Sequence, residues 1–246
     1  MPKSSKKYAS IHTSRTMMFA ELEKVMDYSI EKDNYTEALD QNIIGKKSNA
    51  GAVKTSIYLK KLYGFDVKNV QFAALKYFWK SVEHHFRPLL AFVYAVNHDD
   101  LLAQSIGVVC KAELGENVPA EAFEKNIETY YPKRFSPKTR KSISQNIASS
   151  WKQAGFIEGK VKNIRVQPDI NYQVACFAFF VAYLKGNKGD FIWNSIGAKA
   201  LCLPESKLRD LVIECNQRDL MQHQSAGEVT TISFNQLLKK TGIDAI

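Results

Sequence analysis

The sequence predicts a mainly α protein, a helical bundle that carries winged helix-turn-helix-like modules and short β-hairpins. Three observations predict it. Apolar residues recur at helical spacing along most of the chain. The segment YPKRFSPKTRKSISQNIASSWKQAGFIEGKVKNIRV, residues 131–166, reads as a capped helix followed by a short basic hairpin. A second hairpin is expected near the carboxyl end, where VTTIS favours a strand.

The 131–166 segment is the most informative. Ser136 is a natural N-cap, because its hydroxyl accepts a bond from an orphan N–H of the first turn. Pro137 follows at the first helical position, where no N–H is needed. Gly155 supplies the left-handed conformation that ends a helix. Ile143, Ile147, Trp151 and Ala154 form one apolar stripe. Lys138, Lys141, Gln145, Ser149 and Lys152 fall on the opposite face. Glu158-Gly159-Lys160 makes a turn, and the hairpin beyond it carries Lys162 and Arg165. Helix, tight exit and basic hairpin is the order of a winged helix-turn-helix, in which the helix enters a major groove and the hairpin touches flanking phosphates. A lysine-rich outer face is also what an ordinary solvated helix presents, so the segment alone does not decide.

Length and charge bound the reading. The chain has 246 residues, enough for one large or two small domains with real cores. Its 45% hydrophobic and 24% charged content is that of a soluble globular protein. A net charge of +9 and a pI near 9.2 favour a polyanionic partner. Cys110, Cys176, Cys202 and Cys215 lack C-x-x-C spacing and sit in apolar contexts, which predicts buried free thiols in a reducing compartment. No apolar run is long enough to span a membrane, and the basic N-terminus lacks a signal-peptide core, so a cytoplasmic protein is expected.

Taken in order, residues 1–13 read as a flexible basic arm. Residues 14–115 read as an N-terminal helical domain and 116–246 as a winged-helix-like domain. Ser14 to Ile30 is expected as a helix with Met18, Leu22, Val25 and Met26 inward. A short helix over Thr36 to Gln41, a turn over Gly45 to Ser48 and a longer helix capped by Asn49, running to Tyr63 and closed by Gly64, make a second helix-turn-helix-like segment. Lys46, Lys47 and Lys54 lie near the start of its second helix. Val53 and Ile57 fall on its outer face, which equally marks a protein interface. The run RPLLAFVYAVNHDDLL is too apolar for a surface helix and predicts a buried element. Helices follow over Asp99 to Ala112 and Pro119 to Tyr130, the latter being the natural first helix before Ser136. Beyond the hairpin, helices are expected over Asn171 to Lys185, Asp190 to Leu201 and Pro204 to Asp219. Leu220 to His223 and Val229 to Ser233 read as strands around a Ser225-Ala226-Gly227 turn, repeating the helix, helix, hairpin order, and a short helix over Phe234 to Lys240 closes the chain.

Chemistry-bearing motifs are scarce. Adjacent His84 and His85 point to different faces in a helix, a poor start for a metal site. His98-Asp99-Asp100 is explained by helix capping. There is no Walker loop, dinucleotide fingerprint or metalloprotease signature. No cofactor, metal or enzymatic activity is expected.

Four stretches, KKSNAGAVKTSIYLKKLYGF, FRPLLAFVYAVNHDDLL, SSWKQAGFIEGKVKNIR and SAGEVTTISFNQLL, resemble BrxA-like small helical proteins of BREX-type phage-defence islands. The resemblance spans much of the chain through diffuse motifs. It implies winged-helix-like modules, binding to double-stranded DNA and action alongside other phage-defence proteins. On the matching positions it assigns binding to Lys138, Lys141, Gln145 and Lys152, with Lys160, Lys162 and Arg165 in the wing. The competing expectation is a scaffold within a defence or regulatory complex that contacts proteins and no DNA.

Overall fold

A computed structural model, which describes residues 10–226 and 229–243, is mainly helical with two small antiparallel hairpins. The arm residues 1–9 and Gly227 of the expected turn lie outside the described residues.

The chain begins with a non-helical strap over residues 10–18. Helix α1 (Phe19–Ser29) starts five residues later than its periodicity predicts. The reason is tertiary. Met17 N–H donates to the Ser150 hydroxyl and Met18 turns into the left-handed region at φ 55°, so the backbone cannot continue a helix. Helix α2 (Tyr35–Asp40) and helix α3 (Asn49–Tyr63) follow as expected. The α3 cap is Ser48, one residue earlier than expected, accepting from Gly51 N–H, and Gly64 ends the helix at φ 71°. Helix α4 (Val70–Ser81) and helix α5 (Arg87–Val96) form the aromatic and aliphatic centre. Every residue from Leu89 to Val96 is buried, as the lack of polar positions requires.

The helix expected over Asp99 to Ala112 is two short pieces, α6 (Asp100–Gln104) and α7 (Ile106–Val109). They break at Ser105, whose hydroxyl donates to the Leu102 carbonyl at 2.6 Å and accepts from the buried Trp151 indole at 2.8 Å. Helix α8 (Ala120–Tyr130) and helix α9 (Pro137–Gln153) pack together. Strands β1 (Ile157–Glu158) and β2 (Ile164–Arg165) form the first hairpin, with Ile157 opposite Arg165.

Helix α10 (Tyr172–Leu184) is deeply enclosed, with every residue from Val174 to Ala182 buried. It packs against α4 and α5 of the first half, and one apolar core runs continuously from Ile11 to Ile243. The helix expected over Asp190 to Leu201 is a 3₁₀ turn over Gly189–Ile192 and α11 (Ile196–Ala200), parted where Ser195 caps Ala198 N–H. Helix α12 (Glu205–Gln217), strands β3 (Gln222–Ala226) and β4 (Val229–Ser233), and helix α13 (Asn235–Thr241) complete the chain. No described helix is long and apolar enough to cross a membrane.

Candidate nucleic-acid interface

Helix α9 is built as its sequence dictates. Ser136 accepts from Thr139 N–H, Pro137 occupies the first turn, and Gly155 turns the chain out at φ 82°. Ile143, Ile147, Trp151 and Ala154 are buried, with Trp151 against Phe92 and Phe156. The opposite face carries Lys138, Lys141 and Gln145 into solvent, with Ser149 half-buried beside them. The sequence Pro137–Gln153 contains no acidic residue. Arg140 is paired off-helix with Glu128 of α8 at 2.8 Å. Among the described residues, Lys138 and Lys141 form no ion pair.

The hairpin adjoins this face. Lys152 leaves the end of α9 and its ammonium donates to the Gly159 carbonyl at 2.9 Å. Gly159 sits at φ 94°, and a Cβ there would collide with the Lys162 carbonyl oxygen, so the turn requires glycine. Lys160, Val161 and Lys162 are exposed at the tip. The other edge of β2 is also paired. Gly115 N–H donates to the Arg165 carbonyl, Arg165 N–H to the Glu116 carbonyl, and Val118 N–H to the Asn163 carbonyl, at 2.7–2.8 Å. The residues before α8 thus add a third short strand-like segment to the hairpin.

Arg165 corrects the sequence reading. Expected as a wing contact with a phosphate, it is 3% exposed. Its guanidinium donates to the carbonyls of Val109, Phe156 and Val166 and to Gln167 Oε1, and stacks over Phe156. Burial pulls its pKa below the ordinary arginine value. Alternation along a two-residue strand points this side chain inward, a parity that the hairpin register alone sets.

Inward of α9 lies a buried polar cluster that the sequence did not announce. Asp99 accepts from the Ser10 hydroxyl at 2.7 and 2.8 Å, from Ile11 N–H at 2.7 Å and from Leu102 N–H at 3.1 Å. His12 Nδ1 lies 3.0 Å from the same carboxylate, and His12 Nε2 lies 2.9 Å from Ser150 Oγ. Burial pushes the Asp99 pKa up, but the His12 ring and the converging donors outweigh it and hold the group at about 2. Asn146 donates to the His12 carbonyl and Gln153 accepts from Phe19 N–H, so residues 10–19 run along one flank of α9. Ser10, Ile11 and His12, read from the sequence as part of the arm, are therefore buried. The aligned Asp99, His12 and Ser150 brace the helix. Ser150 Oγ is enclosed by Met17 N–H and the Asn146 carbonyl and has no solvent-facing side.

The second candidate segment is only partly free. Lys47 and Lys54 are exposed, whereas Lys46 is paired with Glu21 at 2.6 Å. Lys46, Gly51 and Thr55 share a recess of about 330 Å³ with Arg15 and with Asn146 of α9. The start of α3 and the middle of α9 thus flank one depression. Val53 and Ile57 are 52% and 58% exposed, as their outer-face positions predict. In the carboxyl half the helix, helix, hairpin order recurs, but α12 neutralises itself through Arg209–Glu205, Arg218–Glu214 and Lys207–Asp210. Cys176 and Cys215 are buried free thiols, whereas Cys110 and Cys202 are joined in a disulfide, contrary to the expectation of four free thiols.

No protein-family model matches the chain, and no curated protein matches it.

Proposed function

We propose that the chain binds double-stranded DNA without catalysis, using α9 and the adjoining hairpin as a winged helix-turn-helix. The observation that carries this reading is the acid-free, solvent-facing Lys138/Lys141/Gln145 face of α9, continued by Lys160 and Lys162 on a hairpin that Lys152 ties to the helix. The order short helix, strand-like segment, α8, α9, hairpin, with the segment before α8 paired to β2, supports the winged reading. Lysines dominate the face, so phosphate contacts provide most of the affinity and binding falls steeply with salt. Gln145 is the exposed side chain suited to a base edge, which implies modest sequence selectivity. The test is fluorescence anisotropy of a labelled mixed-sequence duplex over a salt series. Saturable binding that weakens linearly in log salt supports the reading, and absence of binding at low salt removes it. Action within a phage-defence system of the BREX type rests on the sequence resemblance and is tested by co-purification with the products of neighbouring genes.

A second reading has its own observation. Val53 and Ile57 expose apolar surface on α3 beside Lys54, which suits a protein partner in a defence or regulatory complex. Co-purification of a protein without nucleic acid, lost in a Val53→Asp/Ile57→Asp variant, supports it.

A further inference from the structure

A cleft of about 910 Å³ is lined by Cys110, Lys111, Lys199 and Cys202. The two cysteines are 92 residues apart in sequence and bridge the end of α7 to the end of α11, with their Cα atoms 4.9 Å apart. A second connection runs parallel to the bridge. Arg165 donates to the carbonyl of Val109, the residue before Cys110, and to Gln167, which in turn donates to the carbonyl of Leu201, the residue before Cys202. The base of the hairpin therefore hangs between the same two backbone points that the disulfide clamps. We infer that Cys110–Cys202 is a reversible thiol–disulfide exchange site, open to small anionic thiols through this cleft, whose redox state sets how firmly the hairpin is held.

The cleft is wide enough for a tripeptide-sized thiol. Lys111 and Lys199 are exposed and give it positive walls for a carboxylate-bearing molecule. In the exchange, a small thiolate attacks one cysteine sulfur, the S–S bond breaks, and the other sulfur leaves as a thiolate and takes a proton. A second small thiol resolves the mixed disulfide. One protein disulfide and two small thiols become two protein thiols and one small disulfide, with two electrons and two protons passing to the protein. Cys176 and Cys215, buried without access, take no part.

The consequence for duplex binding rests on the proposed function, so two readouts are needed. The full chain is equilibrated with oxidised or reduced glutathione, alkylated while folded and mapped by mass spectrometry. Hydrogen exchange over 157–167 and duplex anisotropy are then measured on both forms. The expected result is labelling of Cys110 and Cys202 only after reduction, faster exchange at 157–167, and duplex affinity weaker by roughly fivefold. Cys110→Ser/Cys202→Ser should behave like the reduced chain in both buffers, and Gln167→Ala should diminish the redox difference in exchange. If the double variant does not fold, the wild-type comparison still reads the same quantity. Labelling of both cysteines before reduction, or identical exchange at 157–167 in both forms, overturns the inference. Redox-dependent exchange without any duplex binding upholds the exchange site and defeats the duplex reading instead.

Discussion

The ammonium of Lys152 donates to the carbonyl of Gly159 at 2.9 Å, fastening the last turn of α9 to the hairpin. A lysine that the sequence offers as a DNA contact thus also ties the hairpin to the helix. Lys152→Ala is expected to raise amide exchange over 157–165 and to weaken duplex binding by about 1 kcal/mol, the size of one hydrogen bond. The salt slope should stay close to that of the parent. A slope reduced by about one ion would assign Lys152 to phosphate.

Arg165 holds three backbone carbonyls in a buried site. Arg165→Ala leaves those acceptors without donors and is expected to destabilise the fold by about 3 kcal/mol in urea denaturation. Salt-dependent DNA binding of the remaining folded protein should be unchanged in slope. An Arg165→Ala chain of full stability and lower slope would restore the exposed-wing assignment.

Asp99 ties residues 10–12 to the start of α6 and, through His12, to α9. Its folded pKa is depressed from 3.8 to about 2. A depressed carboxylate contributes stability above the unfolded value, and that contribution disappears as pH falls from about 4 to about 2. The fall corresponds to about 2 kcal/mol, read as the acid-range loss of unfolding free energy in the parent. Asp99→Asn should be less stable at pH 6 and should lack this part of the acid dependence. Parallel parent and variant curves between pH 4 and 2 would show that Asp99 does not titrate in that range.

Val53 and Ile57 separate the two functional readings. Val53→Asp/Ile57→Asp is expected to leave stability within about 0.5 kcal/mol, because both side chains are exposed. Duplex affinity should fall by no more than a few-fold. A collapse of duplex binding in this variant would place α3 inside the DNA surface.

The helical pattern was legible wherever one rule governs a segment. Ser136, Pro137 and Gly155 delimit α9 because caps act locally, and Leu89 to Val96 is buried because nothing polar interrupts it. Four features were illegible for a shared reason, namely that partners far along the chain decide them. Met17 and Met18 lie within a stretch of helical apolar periodicity, yet Ser150, more than 130 residues away, captures the Met17 N–H. Ser105 interrupts a helix to serve Trp151. Arg165 and Lys162 look alike in the sequence, and only strand register sends the first inward. The cysteine pair was invisible for the same reason, since 92 residues separate its members. Ser150 beside the apolar stripe of α9 and Asp99 at a helix start were the sequence signals of the buried polar cluster.

The most direct measurement is the salt dependence of duplex affinity for the parent and for a Lys138→Ala/Lys141→Ala/Lys160→Ala/Lys162→Ala variant. The parent slope is expected to shrink by about 0.9 for each lysine that meets a phosphate, with affinity lost at low salt and the fold retained. A folded variant that binds duplex with the parent's affinity and slope would contradict that expectation.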